Sequence, residues 1–159
     1  MKNILITGGA GYIGSHITEI LIKKKIKLFI ADNLSTGFKK LINKKAHFYN
    51  LNILNTLKLR KIIVENKIDS VIHLAASLSI EVGEKHPKFY YKNNVLGTRS
   101  ILKACSKSLV KNFIFSSTAA VYKEGQKIVS EKSKIGPKSV YGKTKLLAER
   151  KIILNCKKM

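Results

Sequence analysis

Glycine at every third position in Thr7-Gly8-Gly9-Ala10-Gly11-Tyr12-Ile13-Gly14 could bring the backbone against a diphosphate. Residues without a Cβ let main-chain N–H groups approach phosphate oxygens. A helix opening at Tyr12 would add unpaired donors and a positive dipole end. The flanking sequence fits: an apolar run precedes the turn, and Asp32 closes a second apolar run 18 positions after Gly14. That is close to the roughly 20-residue offset at which an acid meets an adenosine ribose. A second pair could move a proton. Tyr141 and Lys145 are four apart, so on a helix they share a face, and an ammonium beside a phenol favours the phenolate. Taken alone, such a pair is more often a solvated helix face than a site.

The elements needed to position these residues alternate along the chain. Strands are expected over 2–7, 27–32, 46–51, 70–74 and 111–116. Helices are expected over 12–24, with Ile13, Ile17, Ile20 and Leu21 on one face and Lys23 to Lys25 in the last turn, and over 54–66, with Leu54, Leu57, Ile62 and Ile63. A short helix is expected near 37–43, a long one over 88–107 after Pro87, and a last one over 140–157. Such alternation predicts an α/β, Rossmann-like, doubly wound parallel sheet of about five strands in the order 3-2-1-4-5. The length of 159 residues suits one domain, 1–159.

Composition limits the function classes. The net charge is +22, yet only three of the 31 basic residues are arginines (Arg60, Arg99 and Arg150), and the lysines are scattered in twos and threes. Base and phosphate recognition favours the planar fork of arginine, so salt-sensitive adsorption to polyanions is expected and specific nucleic-acid recognition is not. The apolar run that ends at Gly8 is too short for a signal peptide or a membrane span. Cys105 and Cys156 lack CxxC spacing and a metal-ligand cluster, which suits two isolated thiols in a reducing cytoplasm.

Six stretches, in order, resemble the extended short-chain dehydrogenases/reductases and, within them, the UDP-glucose 4-epimerases. They are Thr7 to His16, Asp32-Asn33-Leu34, His73-Leu74-Ala75-Ala76, Tyr90 to Thr98, Phe115 to Tyr122, and Tyr141-Gly142-Lys143-Thr144-Lys145. The resemblance implies NAD as cofactor. Gly8, Gly11 and Gly14 would form the pyrophosphate turn, with backbone N–H groups from Tyr12 and Ile13. Asp32 and Asn33 would sit at the adenosine ribose, the acid repelling a 2′-phosphate. Asn52 and Ile53 would lie over the adenine; Asn52 stands where the family usually has an acid. Leu74, Ala75 and Ala76 would lie under the nicotinamide-side ribose, Asn94 would contact the cofactor from a helix, and Ser116 would lie on the strand below it.

The resemblance also implies the chemistry. Tyr141, with Lys145 beside it, would act as general base towards a sugar hydroxyl, and Thr118 would share and steer that proton. The 4-OH of a UDP-hexose would be oxidised to a 4-keto sugar that turns over in the pocket, and hydride would return to its other face, regenerating NAD. Sugar dehydratases of the family carry an Asp-Glu pair where this sequence has Ala119-Ala120, so dehydration is not expected. Family members are about twice as long, so the sequence is expected to stop before the C-terminal substrate domain. A homodimer, or a separate chain completing the fold, is the expected partner, and the alternative readings are a catalytically silent NAD-binding module or an epimerase for another UDP-sugar.

Overall fold

Side chains alternate across a strand, and this decides which residues of each strand reach which helix. In the computed structural model, which describes residues 2–126 and 128–156, five parallel strands are ordered β3-β2-β1-β4-β5. They are β1 (Asn3–Thr7), β2 (Lys27–Asp32), β3 (His47–Asn50), β4 (Ser70–His73) and β5 (Asn112–Phe115). The expected order holds. Leu5, Phe29, Ala31 and Val71 point to one side, where they pack with Leu59, Ile62 and Ile63 of α2 (Thr56–Glu65) and Ile101, Ala104 and Cys105 of α5 (Gly97–Cys105). Ile4, Ile6, Leu28 and Ile72 point to the other, against Ile17, Leu21 and Ile22 of α1 (Tyr12–Lys23). Each fully buried aliphatic side chain of these layers contributes roughly 1.5–3 kcal/mol.

Two helix faces differ from expectation. Ile13 and Ile20 are exposed, whereas Gly14, Ser15 and Thr18 are buried. A small-residue face lets α1 approach closely, and that requirement outweighs the apolar periodicity. In α2 the buried leucine is Leu59, while Leu57 is 81 % exposed. The expected helix over 88–107 is resolved into α4 (Pro87–Tyr90), a π-helix (Tyr91–Leu96) and α5, preceded by α3 (Ile80–Lys85), which the periodicity did not suggest. Two 3-10 turns, Lys39–Leu41 and Ala119–Val121, and the helix α6 (Val140–Cys156) complete the order. The side chain of Cys156 lies outside the described residues.

The described residues gather into two compact units. The first comprises residues up to Ala75 together with Ser100–Ser116, and holds the whole sheet. The second comprises Ala76–Arg99 and the residues from Ser117 onward. Within it α6 packs against α3, α4, the π-helix and the Ala119–Val121 turn.

Lysines occupy helix-ending positions that glycine normally fills. Lys25 (φ 57°) donates its N–H to the Ile22 carbonyl and Ile26 donates to Leu21; Lys67 (φ 47°) donates to Val64 and Ile68 to Ile63. Both patterns are Schellman endings with a left-handed residue after the cap. Lys25 therefore lies beyond the helix rather than in its last turn. Because a Cβ is disfavoured at positive φ, Lys25→Gly and Lys67→Gly should each raise stability by about 0.5–1 kcal/mol in urea unfolding.

Candidate active site

The first unit brings the glycine turn together with the ends of three strands. Gly8 has a φ of 75°, and a Cβ there would lie 2.6 Å from the Ala75 backbone nitrogen. Its N–H donates to the Ala31 carbonyl (2.9 Å), and the Leu74 N–H donates to the Thr7 carbonyl (3.0 Å). A Cβ on Gly14 would lie inside contact distance of the Gly8 carbonyl oxygen. Gly11 differs from both. Its φ is −82°, open to any residue, and a Cβ there would meet only the Gly8 oxygen, at an ordinary 3.4 Å. Packing therefore does not demand glycine at position 11.

Gly11 is also the N-cap of α1, with no side-chain cap, and the first turn contains no acid. The donors of Tyr12 and Ile13 thus stand at an uncapped helix start, and both side chains are exposed. Asp32, 8 % exposed, ties the surrounding loops: Oδ2 accepts the Ala10 N–H (3.0 Å) and Oδ1 the Leu34 N–H (2.8 Å). That second bond supports Leu34 at a φ of 58°, a conformation unfavourable for a side chain of its size. Asn33 is exposed, and its Oδ1 accepts from Ser35 N–H and Oγ. The exposed Asn52 accepts the Leu54 N–H (2.9 Å), while Ile53 is buried in the core. Leu74, Ala75 and Ser116 are half-buried, and the Ser116 N–H donates to the His73 carbonyl (3.2 Å). Thr7 and His73, paired across β1 and β4, join through Oγ1 and Nδ1 at 2.7 Å in the interior.

The second unit holds Ala76, Asn94, Thr118, Tyr141 and Lys145. Helix α6 starts where Ser139 Oγ accepts the Gly142 N–H (3.0 Å) and Glu84 accepts the Val140 N–H (2.7 Å). The serine cap fixes the first turn, and the acid complements the dipole. A Cβ on Gly142 would strike the Ala120 carbonyl oxygen, so the Tyr141 turn lies close to the 3-10 turn after Thr118. Thr118 Oγ1 accepts the Ala120 N–H (3.2 Å), capping that turn, and the side chain is half-buried. Tyr141 is half-buried, and its carbonyl accepts the Thr144 hydroxyl (2.8 Å).

Asn94 is 2 % exposed and fully engaged with protein groups. Its Oδ1 accepts from Ser77 N–H (2.8 Å) and its Nδ2 donates to the Ser77 carbonyl and to Thr144 Oγ1, both at 3.1 Å. Asn93 Nδ2 donates to Ser77 Oγ (2.9 Å). Two consecutive amides thus grip one residue of the loop that begins with the half-buried Ala76, from a π-helical segment of the kind that clusters at functional sites.

Lys145 is 3 % exposed. Burial lowers its ammonium to about 8, and Glu149, one turn further, acts in the opposite direction. Glu149 in turn accepts the Ser117 hydroxyl. Sequence reasoning missed Ser117 and Glu149, although Tyr141, Lys145 and Glu149 at i, i+4 and i+8 form a legible stripe. Burial pushes the Cys105 thiol up to about 12, so it stays protonated and unreactive. Among the described residues, no group of three or more His, Cys, Asp or Glu could hold a metal, and no helix is long and apolar enough to cross a membrane.

A parallel sheet with a glycine turn between its first strand and helix, and an acid ending the second strand, defines a dinucleotide-binding protein of the Rossmann kind. Residues 4–157 match the NAD dependent epimerase/dehydratase family, and the chain belongs to it. It is 40 % identical to the UDP-glucose 4-epimerase of Lactobacillus helveticus over 148 residues, 92 % of this chain and 45 % of the relative. The corresponding enzyme of Pasteurella multocida is 38 % identical over 156 residues, with 92 % and 46 % covered. The crystal structure of the Thermotoga maritima UDP-glucose 4-epimerase with UDP-glucose superposes with a TM-score of 0.94 at 35 % identity, covering 98 % of this chain and 51 % of that one. A Brucella ovis UDP-glucose 4-epimerase in complex with NAD gives 0.92 at 36 % identity, with 96 % and 47 % covered. The chain spans about half the length of the curated relatives it matches.

The buried ammonium has a readable pH signature. Its proton is held less tightly in the folded chain (about 8) than at the ordinary lysine value of 10.5. Between those values the unfolded chain binds more protons, so this group makes folding stability rise with pH. Lys145→Met should lack that rise. Parallel urea titrations at pH 7 and pH 10 should show the mutant gaining less, by on the order of 3 kcal/mol at most.

Proposed function

We propose that this chain is the NAD-binding portion of a UDP-sugar 4-epimerase, with UDP-glucose and UDP-galactose as the leading substrate pair. The observation that carries the cofactor reading is Gly11, whose missing side chain serves no internal packing and stands at an uncapped helix start. Backbone N–H groups of Tyr12 and Ile13 bind the diphosphate. Asp32 and Asn33 take the adenosine ribose, Asn52 and Ile53 flank the adenine, and Leu74, Ala75, Ala76 and Ser116 border the nicotinamide half. Asn94 holds the Ser77 loop and Thr144, the residue before Lys145. NAD, when bound, would supply the hydride acceptor and donor for C4 of the hexose.

The residues of this chain handle the accompanying proton. Tyr141 takes it from the 4-OH through its phenol oxygen. Lys145 supplies a positive charge on the same helix face, favouring the phenolate, and Thr118, whose hydroxyl oxygen already caps a turn, donates to the reacting oxygen. The chain spans about half the length of its curated relatives. In isolation it is an NAD-binding module with little turnover. A cytoplasmic location fits its isolated thiols.

Titrating the purified chain with NAD while following thermal unfolding tests this reading. A hundredfold excess over the dissociation constant should add about 2.7 kcal/mol, and NADP should add much less because its 2′-phosphate meets Asp32. Gly11→Ala should melt with the parent chain yet lose the NAD response, whereas Gly14→Ala should itself be destabilised. Equal responses to NAD in Gly11→Ala and the parent chain would refute the assignment.

A further inference from the structure

Lys145 carries its charge into a place that water barely reaches, and a buried ammonium without a counter-charge sheds its proton or distorts its surroundings. The group that answers it lies outside the expected catalytic set. Glu149 follows Lys145 by one turn on the same side of α6, and its carboxylate supports the charged lysine. It is anchored from outside the helix, because the Ser117 hydroxyl donates to it. Hydroxyl donation to an ionised carboxylate is among the stronger hydrogen bonds. Ser117 directly precedes Thr118, so one contact ties the loop bearing Thr118 to the helix bearing Tyr141 and Lys145. Helix stability does not account for the arrangement, since glutamate placed after lysine is the less favourable order.

We propose that Glu149, anchored by Ser117, is a positioning residue that keeps the buried Lys145 ammonium charged and holds it on the Tyr141 face of α6. This deepens the proposed function, because it rests on Lys145 being the partner of Tyr141. Two other ionisable groups from the packed elements, Tyr90 and Glu84, are engaged differently, while Glu81, Lys85, Lys88, Tyr91 and Lys92 of those elements are exposed. Tyr90 of α4 faces Tyr141 and donates its hydroxyl to the Ser79 carbonyl (2.6 Å), while Glu84 of α3 accepts from the start of α6. Glu149 acts on charge, so a glutamine of the same shape cannot replace it.

The test is a lysine side-chain NMR titration of the whole chain, with the Lys145 signal assigned through Lys145→Arg. The parent chain should titrate near 8. In Glu149→Gln the midpoint should fall by about one pH unit. Ser117→Ala should shift it the same way by less, and Glu149→Asp should restore most of it. A midpoint unmoved in Glu149→Gln, with circular dichroism unchanged, overturns the proposal. Should that variant fail to fold, an unmoved midpoint in Ser117→Ala does so. No nucleotide enters the measurement, so a chain that failed to bind NAD would sink the functional reading without altering this result.

Discussion

Between β1 and α1 the chain turns within a few residues, and it can do so because hydrogen is all that fits at Gly14 above the Gly8 carbonyl oxygen. Much follows from that contact. The Gly8 carbonyl also accepts the Gly11 N–H (3.2 Å), and the Gly8 N–H reaches β2. Ala10, inside the turn, is held by Asp32, and Thr7 is joined to β4 through both its carbonyl and its hydroxyl. The ends of β1, β2 and β4 and the first turn of α1 are thus one hydrogen-bonded body. A diphosphate meeting this turn would find donors already in place, so little ordering would oppose binding.

The second unit is organised by polar groups rather than by a large apolar core. Asn94, Thr98, Thr144 and Lys145 are all buried there, and among the described residues no buried polar side-chain atom lacks a partner. Networks of this kind specify one arrangement, because each broken bond leaves a desolvated group behind. They add less to stability than apolar packing would, and a buried ammonium subtracts from it. The same desolvation that weakens the fold lowers the Lys145 ammonium to about 8. The exposed ion pairs Lys61–Glu65, Lys85–Glu81 and Lys138–Glu124 contribute little to holding a chain of net charge +22.

Much of the fold was legible because strand alternation is a local pattern. Leu5 against Ile4 and Ile6, or Val71 against Ile72, already sort into two layers by position along the strand. The glycine turn was legible for the same reason, as its conformation is set within seven residues. The helix faces were harder. Ile13 and Ile20 satisfy apolar periodicity yet remain exposed, because the close approach of α1 selects small residues instead. Leu57 and Leu59 could not be told apart by spacing, and α3 is too short to leave a periodic trace. Tyr141 and Lys145 were marked by their helical spacing as well as by resemblance, whereas Thr118 was marked by resemblance between motifs.

The sequence by itself determined the alternation of strands and helices, the tight turn after β1 and the acid that closes β2, because backbone sterics and side-chain period act over short stretches of chain. Only the tertiary structure decided that Lys145 is buried, that Asn94 is wholly engaged by Ser77 and Thr144, and that Ser117 meets Glu149 across 32 positions of sequence. Desolvation and long-range hydrogen bonding depend on what packs nearby in space, and no local pattern of residues encodes that.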